Sequence, residues 1–287
     1  MQIKLSVHAV YSFRPVILSG GQGDIMELKS ATLDEHREYL YEIVKLKLNF
    51  LYKYMQRHPE EKFENALRNR VDIYRKCSAN RGLLNPSEFF WNDEPWCSME
   101  KASAALCLSC KTPAEFEQQA FEVFHKSIDE RVEKDFHDKS GLDGYQCGSL
   151  RYNLNMNQES RSVGFHIANA IRPQSIFADK KYLPNCLLDL CNQVEENFGA
   201  ETVSTETWLN SFAKWLELFP VEWRQNMGEE NRNIQWHYGF WGQFISSRGT
   251  FNYKYGKILR ESGEMPFYPR YSFCRISSLR EHLHKIM

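Results

Sequence analysis

In LRYNLNMNQESRSVGFHIAN, residues 150–169, the polar residues Arg151, Asn153 and Asn155 alternate with Tyr152, Leu154 and Met156, and His166 stands between Phe165 and Ile167. These types suit acid–base chemistry on a small polar molecule. A neutral imidazole accepts protons near pH 7, carboxamides position polar groups, and a guanidinium grips a carboxylate or phosphate. Folding the two ends together about NQESRS, with Asn153 opposite His166, puts Tyr152 against Ile167, Leu154 against Phe165 and Met156 against Val163 on one face. The other face then carries Arg151, Asn153, Asn155 and His166, and Gly164 and Ala168 leave room above the histidine. A one-residue slip would send half the apolar side chains to the wrong side, so burial selects the hairpin.

The remaining candidates follow downstream. Alternation along ETVSTETWLNS groups Ser204, Glu206 and Trp208 on one face, with Val203, Thr205 and Thr207 opposite. A helix joining the hairpin to this strand would make the two flanking strands parallel neighbours, bringing Glu206 toward His166 at a shared strand end. The chemistry this predicts is proton abstraction by His166, oriented or assisted by Glu206. Arg151, Asn153, Asn155, Asn210 and Gln243 would hold polar substrate groups, while Trp208 and Trp241 would shape the pocket. Arg248, in the turn SSRG, offers a guanidinium to an anionic group. His166, Glu206 and His237 also make a set of two histidines and one carboxylate, although no close ligand pair accompanies it. The chain has no Gly-x-Ser-x-Gly elbow for a serine hydrolase.

Bulk composition narrows the class. The chain has 287 residues, 42% hydrophobic and 25% charged, with 36 basic and 37 acidic residues and a formal charge of −1. That is ordinary globular composition, with no global pull toward nucleic acid or an anionic membrane. No stretch approaches the ~18 consecutive apolar residues of a membrane span, and MQIKLSVHAVYSF lacks a secretion signal, so a cytoplasmic protein acting on a small molecule is expected. The eight cysteines are scattered. Cys107 and Cys110 form the sole Cys-x-x-Cys, without the second pair a structural zinc site needs, and free core thiols are the expectation.

The positioning elements belong to an α+β chain. Residues 1–30 read as a β-hairpin, KLSVHAVYSFRPVIL and DIMELKSA joined by SGGQGD; the glycines suit a turn better than a phosphate loop, because no helix start or Lys-Ser/Thr follows. Residues 31–145 read as mainly helical. Thr32 and Glu35 form a capping box before Leu40, Ile43, Val44, Phe50 and Leu51; a second helix follows Pro59, and others cover 98–108 and 113–136. The aromatics of NRGLLNPSEFFWNDEPWCS cap this core or wall an apolar ligand pocket. Residues 146–287 read as alternating α/β. A helix carrying Leu183, Leu187, Leu190, Cys191 and Val194 ends at Gly199, a short helix SFAKWLELFP stops at Pro220, and NIQWHYGFWGQF alternates as a strand would. With no Pro/Gly/Ser-rich linker near GLDGYQCG, the helices should pack against the mixed sheet.

HIANAI, followed by a helix and then TWLNSFAKWLELFP, resembles the carboxy-terminal half of GNAT-like acyltransferase domains. Bacterial proteins that join a helical amino-terminal region to such a domain are similar in arrangement, and WGQFISSRGTFN is similar to a recurrent segment among them. The resemblance covers roughly residues 145–250 and rests on the order of elements. It implies a GNAT-like sheet and acyl transfer to an amine or hydroxyl from acyl-CoA or another acyl donor. Where that family carries an Arg/Gln-x-x-Gly-x-Gly/Ala pyrophosphate turn, this chain has IRPQSIFADKK, which contains no glycine. A noncatalytic small-ligand or peptide binding protein is the competing class, and a metal-dependent oxygenase or hydrolase a third.

Overall fold

The computed structural model describes residues 29–80, 83, 86–138 and 143–287, so nearly all of the predicted hairpin over 1–30 lies outside the described residues. The protein is α+β, with a mainly helical body and one four-stranded mixed sheet.

Helix α1 (Leu33–Arg57) starts as its sequence dictates. Thr32 accepts the Glu35 N–H at 3.2 Å and the Glu35 carboxylate accepts the Thr32 N–H at 2.9 Å, satisfying two of the donors that a helix start leaves free. Helices α2 (Phe63–Arg70), α3 (Trp96–Ser109) and α4 (Pro113–His137) complete the body, and the predicted helix positions agree closely. Its core is Leu40, Val44, Leu48, Phe50, Trp96, Phe116, Phe124 and their neighbours, with Cys110 buried and Cys107 packed against it. Phe89 and Trp96 are buried here, so most of the aromatics between α2 and α3 serve packing, while Phe90 stays exposed.

The sheet runs in the order β1 (Leu150–Tyr152), β2 (Ser162–Ile167), β3 (Thr202–Thr207), β4 (Arg270–Arg275). Strands β1 and β2 are antiparallel, β2 and β3 parallel, β3 and β4 antiparallel. Helix α5 (Tyr182–Phe198), closed by Gly199 in the left-handed conformation, provides the crossover that makes β2 and β3 parallel. One face of the sheet is dry: Leu150, Val163, Phe165, Val203 and Cys274 bury against Leu187, Leu190 and Val194 of α5 and against Ile276, Leu279 and Leu283 of α10 (Ile276–Ile286).

Three local expectations are corrected. The β1–β2 register is Arg151 with His166 and Tyr152 with Phe165, two residues from the one expected. Asn153 already bonds Gly164, whereas Asn157 pairs with Ser162, so two extra residues are looped out between them. Leu154 and Asn155 occupy that bulge, with Leu154 78% exposed instead of facing Phe165. Second, NIQWHYGFWGQF is not a strand: after the short helices α6 (Ala213–Leu216) and α7 (Val221–Gln225), residues Tyr238–Trp241 form the single turn α8 and Gly242–Phe244 a 3-10 turn. Phe240, Trp241 and Phe244 thereby point into the helical core, an i, i+1, i+4 set that alternation hides. Third, the last strand is β4, placed after helix α9 (Tyr253–Ser262).

Although they come late in the chain, Ile234 to Tyr268 contribute to the core of the helical body. The segment bringing them there is bonded on both sides. Gly228 N–H donates to Tyr271 O (2.9 Å) and Asn231 N–H to Pro269 O (2.8 Å) on the sheet; Trp236 N–H donates to Asn69 O (3.1 Å) and the Trp241 indole to Arg70 O (3.0 Å) on the helical body.

Candidate active site on the open face of the sheet

The second face of the sheet carries the polar residues. Cross-strand partners share a face, so Arg151 and His166 stand side by side, as do Glu206 and Tyr271. The parallel register pairs Gly164 with Ser204, and His166 and Glu206 each lie two residues further along the same face of their strands. Paired residues between β2 and β3 end at Gly164 and Ser204, while the strands continue to Ile167 and Thr207. His166 and Glu206 therefore occupy the carboxyl ends of the parallel pair, where ligands gather in open α/β sheets.

His166 is exposed, and its Nε2–H donates to Asn153 Oδ1 at 2.9 Å. Because a carboxamide oxygen only accepts, the ring proton is fixed on Nε2 and Nδ1 keeps its lone pair. Asn153 holds this pose by lying directly over Gly164: a Cβ at 164 would sit 2.7 Å from Asn153 Nδ2. The small residue beside His166 thus makes room for the asparagine that orients it. Partial desolvation, then the charges of Arg151 and His237, lower the His166 pKa. A ring with a depressed pKa stays neutral to lower pH than free imidazole, so more of it is in the basic form at pH 7 than for an unperturbed histidine. Followed by NMR, the His166 ring should titrate with a midpoint below 6.5, and a midpoint above 6.5 would contradict this electrostatic setting.

His237 reaches the same face from the segment bonded to both bodies. Its Nδ1 accepts the Gly239 N–H at 3.1 Å, capping α8 and leaving the proton on Nε2. Desolvation lowers its pKa, the Glu206 carboxylate works against this, and Arg75 adds to it. Glu206 is exposed and accepts from Asn231 Nδ2 at 2.7 Å; no hydrogen bond joins it to His166. The expected carboxylate support of His166 is therefore taken by Asn153. Among the described residues, no three of His, Cys, Asp and Glu come together as a metal site, so His166, Glu206 and His237 form no ligand set.

The other expected site residues lie elsewhere or are already occupied. Asn155 projects from the bulge. Asn210 is buried, with its amide donating to Thr205 O (3.2 Å) and Arg270 O (2.7 Å) and its oxygen accepting from the indoles of Trp215 (2.9 Å) and Trp223 (3.1 Å). No bonding capacity remains for a substrate. Gln243 is buried with both amide protons used, donating to Phe240 O and Phe267 O, and its oxygen accepts the Phe267 N–H. Trp241 is buried against Phe50 and Phe244. Trp208 is half-buried and stacks on Phe267. Arg248 does grip a carboxylate, but it is that of Glu35 (3.1 Å), and with its bond to Lys29 O it ties the 246–250 turn to the start of α1.

Asn231 and Tyr271 join the face without having been expected. Asn231 lies in a loop with no periodicity, and RYSFCR inverts the usual pattern, since Tyr271 and Phe273 face outward while Ser272 and Cys274 are buried. A second polar cluster lies in the helical body, where Asp135 accepts from Lys76 (3.0 Å) and meets His36 (3.1 Å). Nearby Lys47, buried beside Trp241, has its amine pushed down to about 8 by desolvation.

No family model matches the chain, and no curated protein or solved structure matches it. Among the described residues, no helix is long and apolar enough to cross a membrane.

Proposed function

We propose that the chain is a group-transfer enzyme working on a small metabolite at the open face of its sheet, with acyl transfer to an amine or hydroxyl as the reaction and His166 as general base. The observation that carries this is His166 itself: exposed, held in one tautomer by Asn153, its pKa lowered by its surroundings, and set at the carboxyl ends of the parallel strands. In the step, Nδ1 takes the proton of the acceptor as its nitrogen or oxygen attacks the acyl carbonyl. The leaving group departs with the electron pair of the bond it shared with the acyl carbon and takes up a proton. The order of hairpin, helix and parallel strand supports the GNAT-like comparison.

The donor need not carry a diphosphate held as in that family. Ahead of α5, where the pyrophosphate turn would lie, the Asp179 carboxylate accepts the Lys181 N–H at 2.8 Å, setting a negative group at the start of the helix. Acyl-CoA and other activated acyl compounds are therefore both donors to test. A cytoplasmic location goes with this reading, supported by eight free cysteines. The outward-facing Tyr271 and Phe273 also suit a noncatalytic small-ligand or peptide binding protein, which would use the same face without turnover.

The test pairs calorimetry with mass spectrometry, offering acetyl-CoA, longer acyl-CoAs and acyl phosphates together with amine and hydroxyl acceptors. We expect one donor to bind and to yield an acylated acceptor. No binding and no thermal shift with any acyl donor would sink the acyl-transfer version.

A further inference from the structure

The row of side chains crossing the sheet carries opposite charges on the two sides of His166. On one side is Arg151, partly exposed, its guanidinium 5.5 Å from the centre of the Tyr145 ring. On the other is Glu206, exposed, held by the neutral amide of Asn231 and cross-strand from Tyr271, which is 46% exposed. Among the described residues, no carboxylate pairs with Arg151 and no lysine or arginine with Glu206. Elsewhere on this sheet such groups are paired, Arg161 with Glu201 at 2.6 Å and Arg275 with Glu222 at 3.2 Å. The row thus presents a cation, a base, an anion and an aromatic ring in that order, with the second imidazole of His237 near the base and the anion and no ion pair at Arg151 or Glu206 among the described residues.

A carboxylate satisfies Arg151, because a guanidinium binds two oxygens at once. An ammonium satisfies Glu206, and the ring of Tyr271 beside it adds cation–π attraction. Neighbouring strands are about 4.8 Å apart where they pair, and β2–β3 pairing ends at Gly164 and Ser204, so Arg151 and Glu206, two strands from each other, have Cα atoms about 10 Å or more apart. That span suits a molecule whose two charges are separated by several bonds better than an α-amino acid.

We propose that this row binds a small zwitterion, with its carboxylate at Arg151, its ammonium between Glu206 and Tyr271, and His166 between the two. The assignment rests on the group-transfer reading, for which it names the acceptor class: an amine carrying a remote carboxylate. Held beside His166, the neutral fraction of the bound amine attacks the acyl carbon, and the imidazole takes up the proton that its nitrogen releases on attack, the leaving group departing with the electron pair of its bond to the acyl carbon.

The test is a binding measurement that needs no turnover. Glycylglycine and 5-aminopentanoate, each with its methyl ester and its N-acetyl derivative, are titrated into the full chain by calorimetry. At least one parent compound should bind, and blocking either end should weaken it by about tenfold or more, the worth of one charge-assisted contact. In Arg151→Met the acid and its ester should bind alike; in Glu206→Gln the amine and its N-acetyl form should bind alike. Both variants alter exposed or half-buried side chains, and their melting temperatures report whether folding is kept. The proposal is overturned if neither parent binds, if the blocked forms bind as well as the parents, or if folded variants keep the discrimination. Zwitterion binding without acyl transfer would remove the group-transfer reading alone; transfer to some other acceptor without zwitterion binding would remove this one alone.

Discussion

Asn210→Ala should lower the stability of the chain by about 3–5 kcal/mol, since each buried polar group left without its partner costs about 1–3 kcal/mol. The side chain joins four groups: the carbonyls of Thr205, within β3, and Arg270, the first residue of β4, and the indole N–H groups of Trp215 and Trp223, both fully buried. Alanine leaves the two indoles in an apolar core with nothing to donate to, and the cavity is lined by aromatic rings too large to close over it. Chemical denaturation should show a lower midpoint with an unchanged slope, because the folded surface is the same. A folded variant of normal stability that has lost ligand binding would instead return Asn210 to the substrate-binding role its sequence suggested.

That contrast shows what could be read from the residues alone. A polar side chain inside an apolar segment looks the same whether a substrate or the protein's own backbone satisfies it. Asn210 and Gln243 were therefore legible as important but not as structural. Arg248 was legible as a carboxylate binder, and only the fold shows that the carboxylate belongs to Glu35. Local chemistry was more reliable. Thr32 and Glu35 define the start of α1 because both partners of the capping box lie within one turn. The parallel β2–β3 contact follows from the handedness and direction of a helical crossover.

The hairpin was legible in parity but not in register. Period-two alternation puts Arg151, Asn153 and His166 on one face in either register, since a shift of two residues changes partners and not faces. What alternation cannot count is the bulge at Leu154 and Asn155, which moves Asn153 from opposite His166 to opposite Gly164. From there it reaches the ring diagonally, a distance a carboxamide spans. In WHYGFWGQF the same alternation misleads, because aromatics that seem to take turns at a strand belong to a helical turn whose i and i+4 positions face one core.

The central claim, that His166 is the base of a transfer reaction, is tested most directly by His166→Gln with two readouts on the same protein. Glutamine keeps much of the volume and a group able to bond Asn153, but it cannot take up a proton. His166 is exposed, so its replacement removes little packing and the melting temperature should hold. Turnover with the acyl donor and acceptor found for the native chain should fall by about two to four orders of magnitude, the usual contribution of a positioned general base. Unchanged melting with that loss is the result predicted here. A variant that folds normally and turns over at the native rate would contradict it, as would one that loses stability while its folded fraction remains fully active.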